Sequence, residues 1–233
     1  MACAESFVDP PEAVLFPEEE AVIARAVPKR RQEFTTARHC ARTALAALGA
    51  PAAPILPGAM GAPTWPAGYV GTMTHCAGYR AAAIARTDRV ASLGLDAEPH
   101  QPLPSGVLPL VTLPEEREWL TDCARRRPDV HWDRLLFCTK EAVYKGWFPL
   151  AQRWLGFQDA QITIEEDGTF EAQLLVDGPT VLGAEPLTGF RGRWLVSGDL
   201  ILTSTLVWRP EPVARRSTMD GASGLTGRGG STW

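Results

Sequence analysis

No two of the five cysteines in this chain of 233 residues stand in a CxxC pair, and their number is odd. A closed zinc site or a disulfide framework needs the opposite pattern. Cys3, Cys40, Cys76, Cys123 and Cys138 therefore read as reduced thiols of a cytoplasmic protein. Long apolar runs are missing as well: nothing approaches the roughly eighteen residues that a membrane helix needs. The opening stretch, MACAESFVDPPEAVLFPEEE, is acidic and carries prolines, unlike a secretory signal. There is no basic excess either. A net charge of -4 leaves no stripe for a nucleic acid. What remains is 45% apolar and 21% charged, the make-up of one large or two small globular domains with an ample core.

Periodicity predicts a helix from about Glu18 to Leu48, broken or kinked at Pro28. In its second part Phe34, Ala37, Ala41, Ala44, Leu45 and Leu48 share a face, and Gly49 suits the C-cap. Pro51 to Gly71 reads as loops and short strands. YVGTMTHC and RAAAIART predict two strands around a Cys-Ala-Gly turn, and VASLGLDAE a third. Helices follow near Pro114–Arg127 and Trp132–Phe148, then strands in AQITIEE, TFEAQLLVD and GRWLVSGDLILTSTLVW. Residues 210–233, rich in Gly, Ser, Pro and Arg, read as a disordered tail. Leu48-Gly49 and Leu155-Gly156 are each followed at one spacing by an isoleucine, Ile55 and Ile162. The order helix, Leu-Gly, strand thus occurs twice, which predicts two similar α+β halves, 1–105 and 106–209.

The carboxylates come next. Asp96 and Glu98, at the end of an apolar strand, point to one face, with Ala97 on the other. Acids that close repel unless a cation lies between them. A hard divalent ion, Mg²⁺ above all, would answer with oxygen ligands. The plain alternative is two solvated acids at a strand end. In FCTKEAVYKGW, residues 137–147, Glu141 and Lys145 lie one turn apart, as do Lys140 and Tyr144. Glu followed by Lys four later is also the ordinary surface pair. The aromatic packing of this helix favours a third metal ligand, Glu141, with a lysine for phosphate. The pairs His39-Cys40 and His75-Cys76 do not build zinc or a Cys-His nucleophile, because adjacent side chains diverge. Lys29, Arg30, Arg31, Arg38 and Arg42 are dense for an acidic chain. They are a solvated face or a phosphate clamp.

Four segments now stand in order: RRQEFTTARHCAR, GAPTWPAGYVGTMTHCAGYRAA, LGLDAEP and FCTKEAVYKGWF. Together they resemble the 4′-phosphopantetheinyl transferases of the Sfp type, also called the enterobactin synthetase component D type, in their actinobacterial branch. The resemblance spans roughly Glu18 to Leu206. It implies an α+β fold with a pseudo-two-fold duplication in one monomeric chain. It also implies transfer of the phosphopantetheine arm of coenzyme A to a serine of apo acyl or peptidyl carrier proteins, with release of 3′,5′-ADP. By position it implies that Asp96, Glu98 and Glu141 hold Mg²⁺, for which Mn²⁺ could substitute. Lys145, with Lys140, and His75 would contact phosphates. Arg30 and Arg38 would bind the 3′-phosphate, and Gly71, Thr72 and Thr74 would line the adenine pocket. Two residues depart from the family: Met60, in a loop where relatives often carry a lysine, and Thr72 for a frequent serine.

A carrier serine needs a base to take its proton. Glu98 and Glu141 are both candidates. Glu98 is preferred, because Lys145 one turn from Glu141 should lower the latter's pKa. Arg125, Arg126, Arg127, Arg134 and Arg153 are candidates to steer acidic carriers. Two rivals remain. A Mg²⁺ nuclease would want a lysine where His100 stands. A non-catalytic coenzyme A or carrier-binding module would not need three acids.

Overall fold

Pro28 splits the first predicted helix. The computed structural model, which describes residues 1–181 and 185–209, places α1 at Pro17–Val22 and α2 at Pro28–Ala47. Proline starts both, where its missing N–H costs nothing. Gly49, at φ +79°, ends the second as expected. A short strand, β1 (Ala2–Ser6), precedes them. Then come β2 (Tyr69–Cys76), β3 (Tyr79–Arg86) and β4 (Val90–Pro99). The second half has a short α3 (Leu108–Val111), α4 (Pro114–Arg126) and α5 (Trp132–Ala151). Four strands follow: β5 (Ala160–Ile164), β6 (Thr169–Leu174), β7 (Gly189–Ser197) and β8 (Leu200–Trp208). The expectation for 210–233 lies outside the described residues.

The strands form two sheets, ordered β1-β3-β2 and β4-β8-β7-β6-β5. Both are antiparallel throughout. α2 packs on the first sheet through Cys40, Ala41, Ala44 and Leu45, and α5 on the second through Leu135, Leu136, Val143 and Trp147. Each large apolar side chain so enclosed contributes about 1.5–3 kcal/mol. β4 belongs to the first half in sequence but ladders with β8 of the second, Asp96 opposite Thr203.

The seam between the sheets is made by hydroxyls. Thr72 Oγ1 accepts from Leu95 N at 3.3 Å, and Thr74 Oγ1 accepts from Ala97 N at 3.0 Å. β2 thereby satisfies the backbone of β4 without a full ladder, and the two ends carrying His75 and Asp96 lie side by side.

The duplication is written in two buried glutamates. α1 begins Phe16-Pro17-Glu18-Glu19, and α4 begins Leu113-Pro114-Glu115-Glu116. Glu19 Oε2 accepts from Phe16 N at 3.0 Å and Glu116 Oε2 from Leu113 N at 2.8 Å, the side-chain-to-backbone half of a capping box. Their other oxygens accept from Ile55 N at 2.7 Å and Ile162 N at 2.8 Å. These are the two isoleucines that follow the Leu-Gly pairs. Each carboxylate is neutralised by the next long helix: Glu19 by Arg42 at 2.9 Å, with Arg38 at 3.7 Å, and Glu116 by Lys140 at 2.7 Å. The fold is α+β, in two similar halves.

α5 lies on β4 with its backbone. A Cβ on Gly94 would stand 1.9 Å from Ala142 O and 2.8 Å from Gly146 N. Beside it Ser92 Oγ donates to Gly146 O. Only glycine admits this approach, and it brings Glu141 and Lys145 of α5 over Asp96.

Candidate active site

Between α2, the loop around Met60, β2 and α5 lies a cleft of about 740 Å³. Arg30, Arg38, His75, Glu141 and Lys145 all line it. α2 presents its basic residues because its other face is spent on the first sheet. α5 presents Glu141 and Lys145 on one stripe, as their spacing requires.

Lys145 Nζ donates to Asp96 Oδ1 at 2.6 Å and to Leu95 O at 3.1 Å. Burial opposes its charge, but the Asp96 carboxylate outweighs that and raises its pKa. The same Asp96 oxygen accepts from Thr74 Oγ1 at 3.1 Å, whereas Oδ2 is buried without a partner. Glu98 Oε2 accepts from Arg134 Nη1 at 2.8 Å. Burial raises the Glu98 pKa, Asp96 raises it further, and Arg134 pulls it down. Burial also raises that of Glu141, helped by Asp96 and Glu98 and opposed by Lys145. Each of these two acids thus feels the negative charge of its neighbours, the electrostatic sign of convergence. Among the described residues no hydrogen bond or ion pair holds the Glu141 carboxylate.

These residues do not form a ready-made cage: among the described residues no three acidic, His or Cys side chains are grouped as a metal site. The donor set nevertheless fits a hard divalent ion, with three carboxylates under mutual repulsion and one orphaned buried oxygen on Asp96.

On the opposite wall, Arg30 Nη1 lies 2.7 Å from His75 Nε2, and Glu33 Oε2 lies 3.3 Å from the same nitrogen. The His75 ring nitrogen accepts from arginine and is neutral there. Burial lowers its pKa, Arg30 lowers it further and Glu33 opposes both. Glu33 went unnoticed in the sequence because nothing in its spacing links it to His75. Arg38 stacks on Phe34, its guanidinium carbon 3.2 Å from the ring centroid, and donates Nε to Ile55 O at 2.9 Å. Burial pushes its pKa down to about 10, so it stays cationic at neutral pH.

Several expectations are corrected. Lys140 does not reach the cleft: Nζ is buried on Glu116, Phe157 O at 2.6 Å and Ala160 O at 3.2 Å. Thr74 is not in the cleft wall but in the seam, on Asp96 and Ala97 N, whereas Gly71 and Thr72 do line the cleft. Lys145 pairs with Asp96, not with its helical neighbour Glu141; it lowers the Glu141 pKa as expected, but burial and Asp96 outweigh it, so the pKa of Glu141 is raised like that of Glu98 and the preference for Glu98 as base loses its force. Arg134 is not a surface arginine but is held on Glu98. Arg125 and Arg127 are exposed yet paired with Asp122 at 3.0 Å and Asp129 at 2.9 Å, and Arg126 lies 3.5 Å from Glu166. Arg153 lies over the Trp147 ring.

Comparison with known proteins follows the same division. Residues 18–85 match the 4′-phosphopantetheinyl transferase N-terminal domain, and residues 92–187 the 4′-phosphopantetheinyl transferase superfamily. The chain is 56% identical over 210 residues to the 4′-phosphopantetheinyl transferase Svp of Streptomyces mobaraensis, covering 90% of this chain and 85% of that one. It is 54% identical to PptT of Mycobacterium tuberculosis, covering 89% and 92%, and 54% identical to Npt of Nocardia iowensis, covering 86% and 93%. Both are likewise 4′-phosphopantetheinyl transferases.

Proposed function

The chain belongs to the 4′-phosphopantetheinyl transferase superfamily and is an enzyme of that kind, and on that premise we propose Mg²⁺-dependent transfer of the 4′-phosphopantetheine arm of coenzyme A to a serine of apo acyl or peptidyl carrier proteins, with release of 3′,5′-ADP. The observation that carries this reading is the 2.6 Å contact of Lys145, which lines the cleft, with Asp96 behind it, facing a far wall of Arg30, Arg38 and His75. Acids and cations from distant parts of the chain meet in one space large enough for a nucleotide.

Arg30 and Arg38 hold the 3′-phosphate. Arg38 Nε is committed to Ile55 O, so its Nη groups face the ligand. On release from Arg30, His75 carries a proton on Nε2 and donates that N–H to a phosphate oxygen, Gly71 and Thr72 back the adenine, and Lys145 binds the pyrophosphate. A Mg²⁺ ion held by Asp96, Glu98 and Glu141 supplies charge neutralisation of the diphosphate when bound. Mn²⁺ substitutes. Glu141 takes the proton of the carrier serine: both Glu98 and Glu141 have raised pKa values, but Glu98 is held by Arg134, whereas no protein cation holds the Glu141 carboxylate among the described residues. The serine oxygen bonds to the phosphorus that bears the pantetheine arm as the pyrophosphate P–O bond breaks, and its electron pair passes to the 3′,5′-ADP phosphate, whose charge Lys145 offsets. The enzyme works as a cytoplasmic monomer serving polyketide, nonribosomal peptide, siderophore or fatty acid synthesis. No helix among the described residues is long and apolar enough to cross a membrane.

The test is direct. Protein, coenzyme A, Mg²⁺ and several apo carrier domains are incubated, and each carrier is weighed by mass spectrometry. At least one should gain a single arm, and EDTA should prevent the gain. If no carrier gains an arm, the reading is wrong.

Met60 gives a second expectation. It is 72% exposed at the cleft rim and already left-handed, at φ 52°. Met60→Lys therefore adds no backbone strain and places a cation beside the 3′-phosphate. The preference for coenzyme A over dephospho-coenzyme A, as a ratio of kcat/KM, should rise by about two- to fivefold, the yield of an exposed ion pair. An unchanged ratio would place the 3′-phosphate elsewhere.

A further inference from the structure

The guanidinium of Arg134 is used on all three of its nitrogens. Nη1 donates to Glu98 Oε2 at 2.8 Å, Nε to Gln101 O at 3.1 Å and Nη2 to Pro102 O at 2.8 Å. Its side chain is 11% exposed and that of Glu98 20%. One planar fork therefore joins three elements: the end of β4, the segment leaving it, and the first turn of the helix that carries Glu141 and Lys145. A neighbouring bond repeats the tie, since Asp133 Oδ2 accepts from Leu103 N at 2.8 Å.

As a charge, Arg134 competes with any cation for Glu98. As a template its rigid plane holds Glu98 Oε2 in fixed relation to the carbonyls of Gln101 and Pro102, an orientation that the rotatable ammonium of lysine does not impose, and Glu98 Oε1 has no hydrogen-bond partner among the described residues. Groups of this kind orient ligands from behind the site. Without it Glu98, at a strand end followed by Pro99 and an irregular segment, would have rotamers to lose on binding.

We propose that Arg134 is a positioning residue that holds Glu98 ready to share a divalent cation with Asp96. This rests on the reading above, that Asp96, Glu98 and Glu141 form the cation site.

The test uses the full chain with coenzyme A and no carrier, so nothing turns over. Mn²⁺ binding is read from the electron paramagnetic resonance signal of the free ion. Arg134→Lys keeps the charge and loses the fork, and should weaken Mn²⁺ about tenfold or more. In carrier assays the Mn²⁺ concentration for half-maximal rate should rise equally, with kcat nearly restored at saturation. In a Glu98→Gln background Arg134→Lys should add no further loss, because the effect runs through that carboxylate. If Arg134→Lys melts below assay temperature, the same Mn²⁺ measurements are made at a lower temperature at which the variant is folded. Wild-type Mn²⁺ affinity in a folded variant overturns the proposal, as does an undiminished loss in the Glu98→Gln background. A wild-type protein that binds no Mn²⁺ overturns the cation reading itself, and this proposal with it.

Discussion

Glu141→Gln should lower kcat for carrier modification by about 10²–10⁴-fold, the range expected for removal of a general base. The substitution is nearly isosteric, and coenzyme A should still bind, because Arg30, Arg38 and His75 are untouched. Glu141 is also proposed as a cation ligand, so two losses must be separated. Glu98→Gln is the control. It removes one cation ligand but not the proposed base, and raised Mg²⁺ should recover much of its activity. Glu141→Gln should not recover. The pH profile gives the sign. Glu141 must be ionised to accept a proton, so activity falls as pH drops through its raised pKa. That acid limb should survive in Glu98→Gln and vanish in Glu141→Gln. The reverse would assign the base to Glu98.

The second large effect is on stability. In the variant Glu116→Ala, the Lys140 ammonium would be buried with two carbonyl acceptors but no counter-charge, and the N–H groups of Leu113 and Ile162 would lose their acceptor. Glu116 and Lys140 side chains are 1% and 2% exposed, so water cannot take its place. Stranding one partner of such a pair costs about 3–5 kcal/mol. That is a large part of the 5–15 kcal/mol that holds a domain together. The melting temperature should fall by about 6–20 °C, at the roughly 2–4 °C per kcal/mol typical of this size. The double variant Glu116→Met, Lys140→Met should recover more than half of the loss, because no buried charge is then unpaired. Thermal melts of the three proteins decide it. A shift under 2 °C for Glu116→Ala would mean that water reaches Lys140.

Much of this architecture is legible in local pattern. β2 occupies the residues read as a strand before the Cys-Ala-Gly turn, and Pro28 divides the first helix as expected. The repeated Leu-Gly spacing finds the two isoleucines on which the buried glutamates close. What local pattern cannot carry is direction in space. Lys140 and Lys145 sit on one helix with similar neighbours, and only the placement of α4 sends the first inward to Glu116. Arg134 looks like one more arginine of a basic surface until the segment after β4 folds back on it. β1, short and at a sheet edge, owes its existence to pairing with β3. The helix α5 runs past Pro149 to Ala151, since one lost bond near its end is outweighed by packing.

Gly94 sets how the candidate cleft can adapt. With main chain resting on main chain, α5 cannot slide over β4 by even part of a turn, so Asp96, Glu141 and Lys145 form an anvil of fixed dimensions. Accommodation to a bulkier or smaller nucleotide is expected of the opposite rim, the largely exposed segment from Pro57 to Thr64. Variation in nucleotide preference among relatives should therefore accumulate there.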